Sequence, residues 1–274
     1  MHLKHIVVLG LTCLLSFSGL AHRKDVVVVE KPDVPVADKE AILILPGFGS
    51  KIHGVGDIRT WFSNKGYDLY IPHYIGQDSL QQCVSTLNAF IEKHRLLSYK
   101  KLHVFSYIAG SWVFNLWLQQ HPVTNVASVV YDRGPLQERA PFVLVKDDPL
   151  AIRLIAGRIM KNFAFFPYPA IRNDQKHLGI IIETKATKLI RRHKNSALSL
   201  GPVSFSKDSL HQPCDDYLYE CINHDEMYYK FDVIGPEVLY FFRNGRFSPG
   251  TKKTPELFDY WDKNAGNCGN GASK

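Results

Sequence analysis

The chain has 274 residues, 45% of them hydrophobic and 22% charged, which is enough to bury a full core and too ordinary in charge for disorder throughout. Its formal charge of +7 favours contact with anionic surfaces such as phospholipid or polyanionic glycan. Nucleic acid is not expected as a partner, because the one dense basic run, "KATKLIRRHK" at 185–194, is interleaved with aliphatic residues and reads as a solvated helix face.

The opening stretch, "MHLKHIVVLGLTCLLSFSGLA", sets Lys4 ahead of an uncharged apolar run from Ile6 to Leu20, with small residues at Gly19 and Ala21. A spanning helix needs about 20 apolar residues, and this run is shorter. Residues 1–21 therefore read as a cleaved secretory signal, with an uncleaved membrane anchor as the alternative. The expected location is outside the cytoplasm, periplasmic or extracellular. Cleavage removes one lysine and no acid, leaving a formal charge of +6. Cys83, Cys214, Cys221 and Cys268 remain. An even number in an exported protein permits disulfides, at least one is expected, and four cysteines allow three pairings. Their spacings fit no zinc pattern.

Residues 22–39 are Val-, Pro- and charge-rich, suited to an exposed lead-in or an edge strand. Ala41 to Leu45 is continuously apolar and closed by Pro46 and a Gly-Phe-Gly turn, the pattern of a strand covered on both faces. A helical stretch around Ile58 to Asn64 ends at Gly66. The strand "YDLYIP" follows, and Asp78-Ser79 caps a helix running to about His94. Then come the strand "KLHVFS", a helix "GSWVFNLWLQQH" stopped by Pro122, and the strand "VASVVYD". After a Pro- and aromatic-rich excursion over 135–177 come the strands "LGIIIE" and "DYLYECI" and the helix "PEVLYFFRNG". Residues 251–274 form a tail rich in Gly and Asn towards its end. Alternating strands and helices predict one α/β domain over 40–250, with a mainly parallel central sheet and helices on both faces. A site in such a sheet forms at the carboxyl ends of the strands.

Three pieces then stand in a telling order. "LILPGFGS" joins a strand to a glycine turn, "VFSYIAGSW" joins a strand to a helix through small residues, and "NHDEMYYKFDVIGPEVLYFFRNGRF" sets a histidine before the last helix. Together, over about residues 40–247, they resemble the α/β-hydrolase fold of serine lipases and carboxylesterases. The resemblance implies that Gly47 lies in the oxyanion loop, with Pro46 where the family usually has His. It puts the nucleophile elbow at Ser106 to Gly110 and the catalytic histidine at His224. It also implies an oxyanion hole from the Phe48 and Ala109 amides, and a lid or cap over 135–177 whose Phe163 to Tyr168 cluster either lines an acyl pocket or packs on the sheet.

At the elbow tip, where the family places Ser, the residue is Ile108, a side chain with no lone pair. A β-branched residue is also a poor occupant of the left-handed backbone that the elbow demands, so the turn is either relaxed or strained. The neighbouring hydroxyls are Ser106, at the strand end and turned from the tip, and Ser111, in the first helical turn, where a hydroxyl satisfies free amides. The acid position is also altered: in "SLGPVSF", Leu200 precedes Gly201 where the family often has Asp. Asp132 is the substitute acid, with Asp208 and Glu183 behind it; otherwise Asp132 pairs with Arg133 or caps a turn. His224, Asp225 and Glu226 are too close in sequence to converge on a metal, and no metal or cofactor is expected. The expected function is a lipase/esterase-like protein with a degenerate triad, binding an acyl or lipid-like ligand or a partner without catalysis. The alternative is a carboxylic-ester hydrolase using Ser106 or Ser111 with His224 and Asp132.

Overall fold

The computed structural model describes residues 24–48, 52–133, 139–172, 176–203, 206, 209–254 and 260–262. The leader, Asp208, Cys268 and most of the tail lie outside the described residues. Seven strands make one sheet: β1 (Val26–Val28), β2 (Glu40–Leu45), β3 (Asp68–Ile71), β4 (Lys101–Ser106), β5 (Val126–Asp132), β6 (His177–Glu183) and β7 (Asp216–Glu220). Their order across the sheet is β1-β3-β2-β4-β5-β6-β7. Among the described strands only β1 runs antiparallel, paired to β3 at the edge, so the Val-rich lead-in does form an edge strand. The other pairings are parallel, as alternating strand and helix requires.

The continuous apolar runs are buried on both faces, and the pleat sends alternate residues to opposite layers. Leu43, Leu45, Val104 and Val129 pack into one core with Trp112 and Trp117. Ile42, Ile44, Phe105 and Val130 pack into the other with Phe231, Val238 and Phe241. The covering helices include α1 (Ile52–Phe62), α2 (Leu80–Lys93) and α3 (Ile108–Gln120). Ser79 caps α2 as expected, its hydroxyl accepting from the Gln82 amide at 3.2 Å. The described part of the excursion folds as three short helices, α4 (Ala140–Asp147), α5 (Pro149–Ala156) and α6 (Ile159–Phe165), followed after β6 by α7 (Lys188–Arg192) and α8 (Lys194–Leu198). In the basic run, Ile190 turns inward while Lys188, Arg192 and Lys194 face solvent.

After β7 come α9 (Glu226–Tyr229) and α10 (Phe231–Asn244). The last helix starts five residues before Pro236, the start that the sequence suggested. Burial explains this: Phe231 and Ile234 are each 1% exposed, and their packing outweighs the hydrogen bond that an internal proline removes. Gly245, with φ 69°, ends the helix in the left-handed conformation. Among the described residues, no helix is long and apolar enough to cross a membrane. Cys221 is in a disulfide, and Cys83 is a buried thiol whose pKa burial raises.

Candidate functional site

The sheet register brings three strand ends together. Leu45 pairs with Ser106, Ser106 with Tyr131, and Asp132 with Ile181, two residues before Glu183. The turn beyond β4 needs a residue without a side chain. A methyl at Gly110 would lie 2.6 Å from the Leu45 carbonyl oxygen and 2.8 Å from its Cβ. Strand and helix thus approach as closely as the elbow resemblance implies.

The strain expected of an elbow is absent. Ile108 opens α3 directly after Tyr107, whose φ and ψ are −73° and 164°. It is not among the six described non-glycine residues with positive φ, which are Lys31, Asn64, Arg95, Arg133, Arg139 and His211. Of the two outcomes left open for the turn, the relaxed one holds. Both neighbouring serines are engaged locally and fully buried. Ser106 Oγ donates to the Tyr107 carbonyl at 3.2 Å. Ser111 Oγ donates to the Ile108 carbonyl at 2.7 Å, so its hydroxyl serves a carbonyl and not the free amides that its position suggested.

His224 stands in the turn between β7 and α9, and a reciprocal exchange fixes that turn. The Asn223 amide donates to Glu226 Oε2 at 3.0 Å, and the Glu226 amide donates to Asn223 Oδ1 at 3.1 Å. This is the capping-box arrangement, with Asn in the Ser/Thr place. Glu226 is further held by Lys230 at 2.7 Å; its role is to cap α9. The carboxylates at His224 come from the sheet. Its Nδ1 lies 2.7 Å from Asp132 Oδ2 and 3.4 Å from Glu183 Oε1. Both carboxylate side chains are fully buried, whereas that of His224 is 19% exposed.

Arg133, one of the alternative partners offered for Asp132, forms an ion pair with Glu183. Its backbone takes φ 68°, and its amide donates to the Ile181 carbonyl at 2.7 Å. Burying two carboxylates is costly unless each has a counter-charge or a donor. Arg133 supplies that for Glu183, and Asp132 faces His224. Leu200 plays no comparable part: its carbonyl accepts from the Arg139 guanidinium.

Asp132, Glu183 and His224 each offer one ligand-type atom within 4.8 Å of the others, a donor set of the sort that takes a divalent cation. Arg133 carries a fixed positive charge into the same cluster, so the arrangement is better described as charge pairing.

The loop after β2 packs against this site through Tyr228. The Gly47 amide donates to the Tyr228 hydroxyl at 2.8 Å. A methyl at Gly47 would stand 3.3 Å from that oxygen, 3.6 Å from Tyr107 Cβ and 3.9 Å from Ala109 Cβ. The Tyr107 and Tyr228 rings stack at 3.8 Å and 8°. The His224 ring meets both nearly edge-on, at 6.0 Å and 5.8 Å. Burial raises the Tyr107 phenol well above its ordinary pKa, so it stays protonated, donating to the Met227 carbonyl at 3.3 Å. Phe48 packs edge-on against Phe163 at 5.7 Å, and Phe163 against Trp112 at 5.7 Å. Phe163 thus packs down beside the turn after β4, while Phe165 and Phe166 face solvent.

Sequence reasoning missed Tyr228 and the Arg133–Glu183 pair. A tyrosine four residues after the histidine was the available signal for the first; the second joins neighbouring strands and leaves no local mark. Chemically, the imidazole has one nitrogen against a buried carboxylate and an edge reaching solvent. It can donate or accept a hydrogen bond or move a proton.

No protein-family model matches the chain, and no curated protein sequence does. Solved structures do match. A Bacillus licheniformis lipase in mature form superposes with a TM-score of 0.53 at 12% identity, covering 78% of this chain and 97% of that one. The Vlm2 thioesterase domain, bound with a dodecadepsipeptide, gives 0.50 at 10% identity, covering 78% and 96%. A juvenile hormone epoxide hydrolase from the silkworm Bombyx mori gives 0.50 at 10% identity, covering 80% and 73%. Likeness at such identities carries the fold, and the chain has the α/β-hydrolase fold.

Proposed function

We propose that this protein is an exported, lipase/esterase-like member of the α/β-hydrolase fold that holds an acyl or lipid-like ligand beside His224 without forming an acyl-enzyme. One observation carries the reading: Ile108, at the position that the resemblance gives to the nucleophile, opens a relaxed helical turn, and the hydroxyls on either side are bound to main-chain carbonyls. Attack on an ester needs an oxygen within about 3 Å of both base and substrate. A serine held by its own turn must first break that bond and swing out of the core. Amides at Phe48 and Ala109 do not depend on the missing side chain and can bind a ligand carbonyl. Export is supported by the leader and by the disulfide at Cys221, since such bonds persist in oxidising compartments.

The 2.7 Å approach of His224 to Asp132 favours a second reading, an active ester hydrolase that recruits Ser106 or Ser111. A fluorophosphonate probe together with turnover of short-chain p-nitrophenyl esters decides between them. Folded protein is expected to remain unlabelled and to turn over ester at the buffer rate. Labelling that disappears in Ser106→Ala or Ser111→Ala would establish the second reading in place of the first. Binding of a fluorescent fatty acid, weakened by an added fatty acyl ester, tests the ligand class directly.

A further inference from the structure

Five large apolar side chains stand out among the described residues for their exposure: Leu150 at 76%, Leu154 at 82%, Ile155 at 64%, Phe165 at 59% and Phe166 at 54%. All belong to the cap, and the other exposed large apolar side chains are less than half exposed. A surface helix ordinarily turns its apolar stripe to the core. In α5, Ala156 is the buried residue, while Leu150 and Leu154, one turn apart, point to water with Ile155 beside them. Phe165 is extended by Phe142 of α4, ring to ring at 5.6 Å.

The cap is fastened to the domain at the junction of α5 and α6. The Arg158 and Ile159 amides donate to the Gln77 carbonyl at 2.6 Å and 3.1 Å. Gln77 Nε2 donates to the Ile155 carbonyl at 3.1 Å, and the Leu80 amide donates to Asn162 Oδ1 at 3.0 Å. Gly157, with φ 73°, allows the approach, since a methyl there would stand 2.2 Å from the Gln77 oxygen.

The same helices carry Lys146, Arg153 and Lys161, with Arg158 at the α5–α6 junction, all exposed. None is ion-paired with a described residue. The only acids between 139 and 172 are Asp147 and Asp148, and both are turned to His193, Asp147 at 2.8 Å and Asp148 at 3.6 Å.

We propose that this cap face docks the protein on the surface of an anionic phospholipid bilayer. The apolar side chains enter the boundary between headgroups and acyl chains, and the four cations meet lipid phosphates. Charge separates this occupant from a second copy of the chain. A two-fold interface would bring each set of four cations against its own image, whereas an anionic leaflet complements them. The proposal stands on the cap alone and is independent of the ligand reading at His224.

Vesicle co-sedimentation tests it, using the whole chain in each variant so that any leader is common to all. One vesicle is phosphatidylcholine with phosphatidylglycerol in equal parts, the other phosphatidylcholine alone. The wild type is expected to bind the anionic vesicle and to lose binding as salt is raised. Leu150→Ser with Leu154→Ser should weaken binding at least about tenfold, given the apolar surface withdrawn. Each of Arg153→Gln and Lys161→Gln should weaken it about fivefold. Leu97→Ser, on an exposed apolar residue outside the cap, should change nothing. Equal binding to both vesicles, binding indifferent to the cap substitutions, or a wild type that sediments with neither vesicle overturns the proposal. So does a dimer in sedimentation velocity that Leu154→Ser dissociates. Because the substituted side chains are exposed, circular dichroism should show unchanged folding in every variant.

Discussion

The Tyr228 hydroxyl receives the Gly47 amide at 2.8 Å across 181 residues of chain, tying the loop after β2 to the short helix that follows His224. Tyr228 is 5% exposed and stacked on Tyr107, so water cannot easily replace its oxygen. Tyr228→Phe keeps the ring and the stack and deletes the acceptor. An orphaned buried amide costs about 1–3 kcal/mol, and urea unfolding should show a loss of that size with an unchanged m-value. Stability within about 0.5 kcal/mol of wild type would mean that the phenol does not support the loop.

The fold was legible where the physics is local. "KLHVFS" and "VASVVYD" became β4 and β5 at the predicted bounds, because each is a short stretch built around β-branched and aromatic residues, which favour a pleated, buried surface. The parallel sheet followed from alternating elements. The sequence was a poorer guide where a distant contact decided the outcome. Phe231 and Ile234 found a core to enter, so α10 begins ahead of a proline that normally marks a helix start. At the site, His224 and Asp132 were readable, one from its place before the last helix and the other from its strand end. Glu183, offered behind Asp132 as an acid, also stands there, 3.4 Å from His224; its pair with Arg133 was not readable, because it depends on the pairing of β5 with β6. Ile108 posed an open question about backbone strain, which only the observed φ of the turn answers. The cap's outward apolar face was equally hidden, since "PLAIRLIA" reads the same whether its leucines meet core or water.

Arg133 and Glu183 form a buried ion pair beside Asp132, with Arg133 2% exposed and Glu183 1%. Arg133→Met preserves side-chain bulk and removes the charge, leaving two buried carboxylates to share His224. Removing one member of a buried pair costs about 3–5 kcal/mol, and the variant should lose that much in denaturant unfolding. Adding Glu183→Gln to the same chain removes one of the stranded charges. The double variant should then be more stable than the sum of the single losses predicts, by about 1–3 kcal/mol. Simple additivity would mean that the two side chains are energetically independent despite their contact.

At the opposite end of the sheet, Glu40 faces two basic groups, His103 at 3.2 Å and Lys101 at 3.3 Å. His103 is itself buried, hydrogen-bonded to Ser128 at 2.7 Å and stacked on Phe242 at 5.0 Å. The hydrogen bond from His103 is the largest influence on Glu40 and, with the charges of His103 and Lys101, outweighs burial to bring its pKa from 4.5 down to about 2. A carboxylate lowered on folding contributes stability that is fully present above its unfolded pKa and is lost as pH falls through the folded one. The loss should therefore develop between about pH 5 and about pH 2. Because the Glu40 side chain is 28% exposed, solvent screening reduces its contribution to roughly 1 kcal/mol. Thermal melts through that window should show the wild type losing more stability than Glu40→Gln, which has no proton to take up at this position. Parallel curves for the two proteins would mean that the contact with His103 does nothing for the folded state.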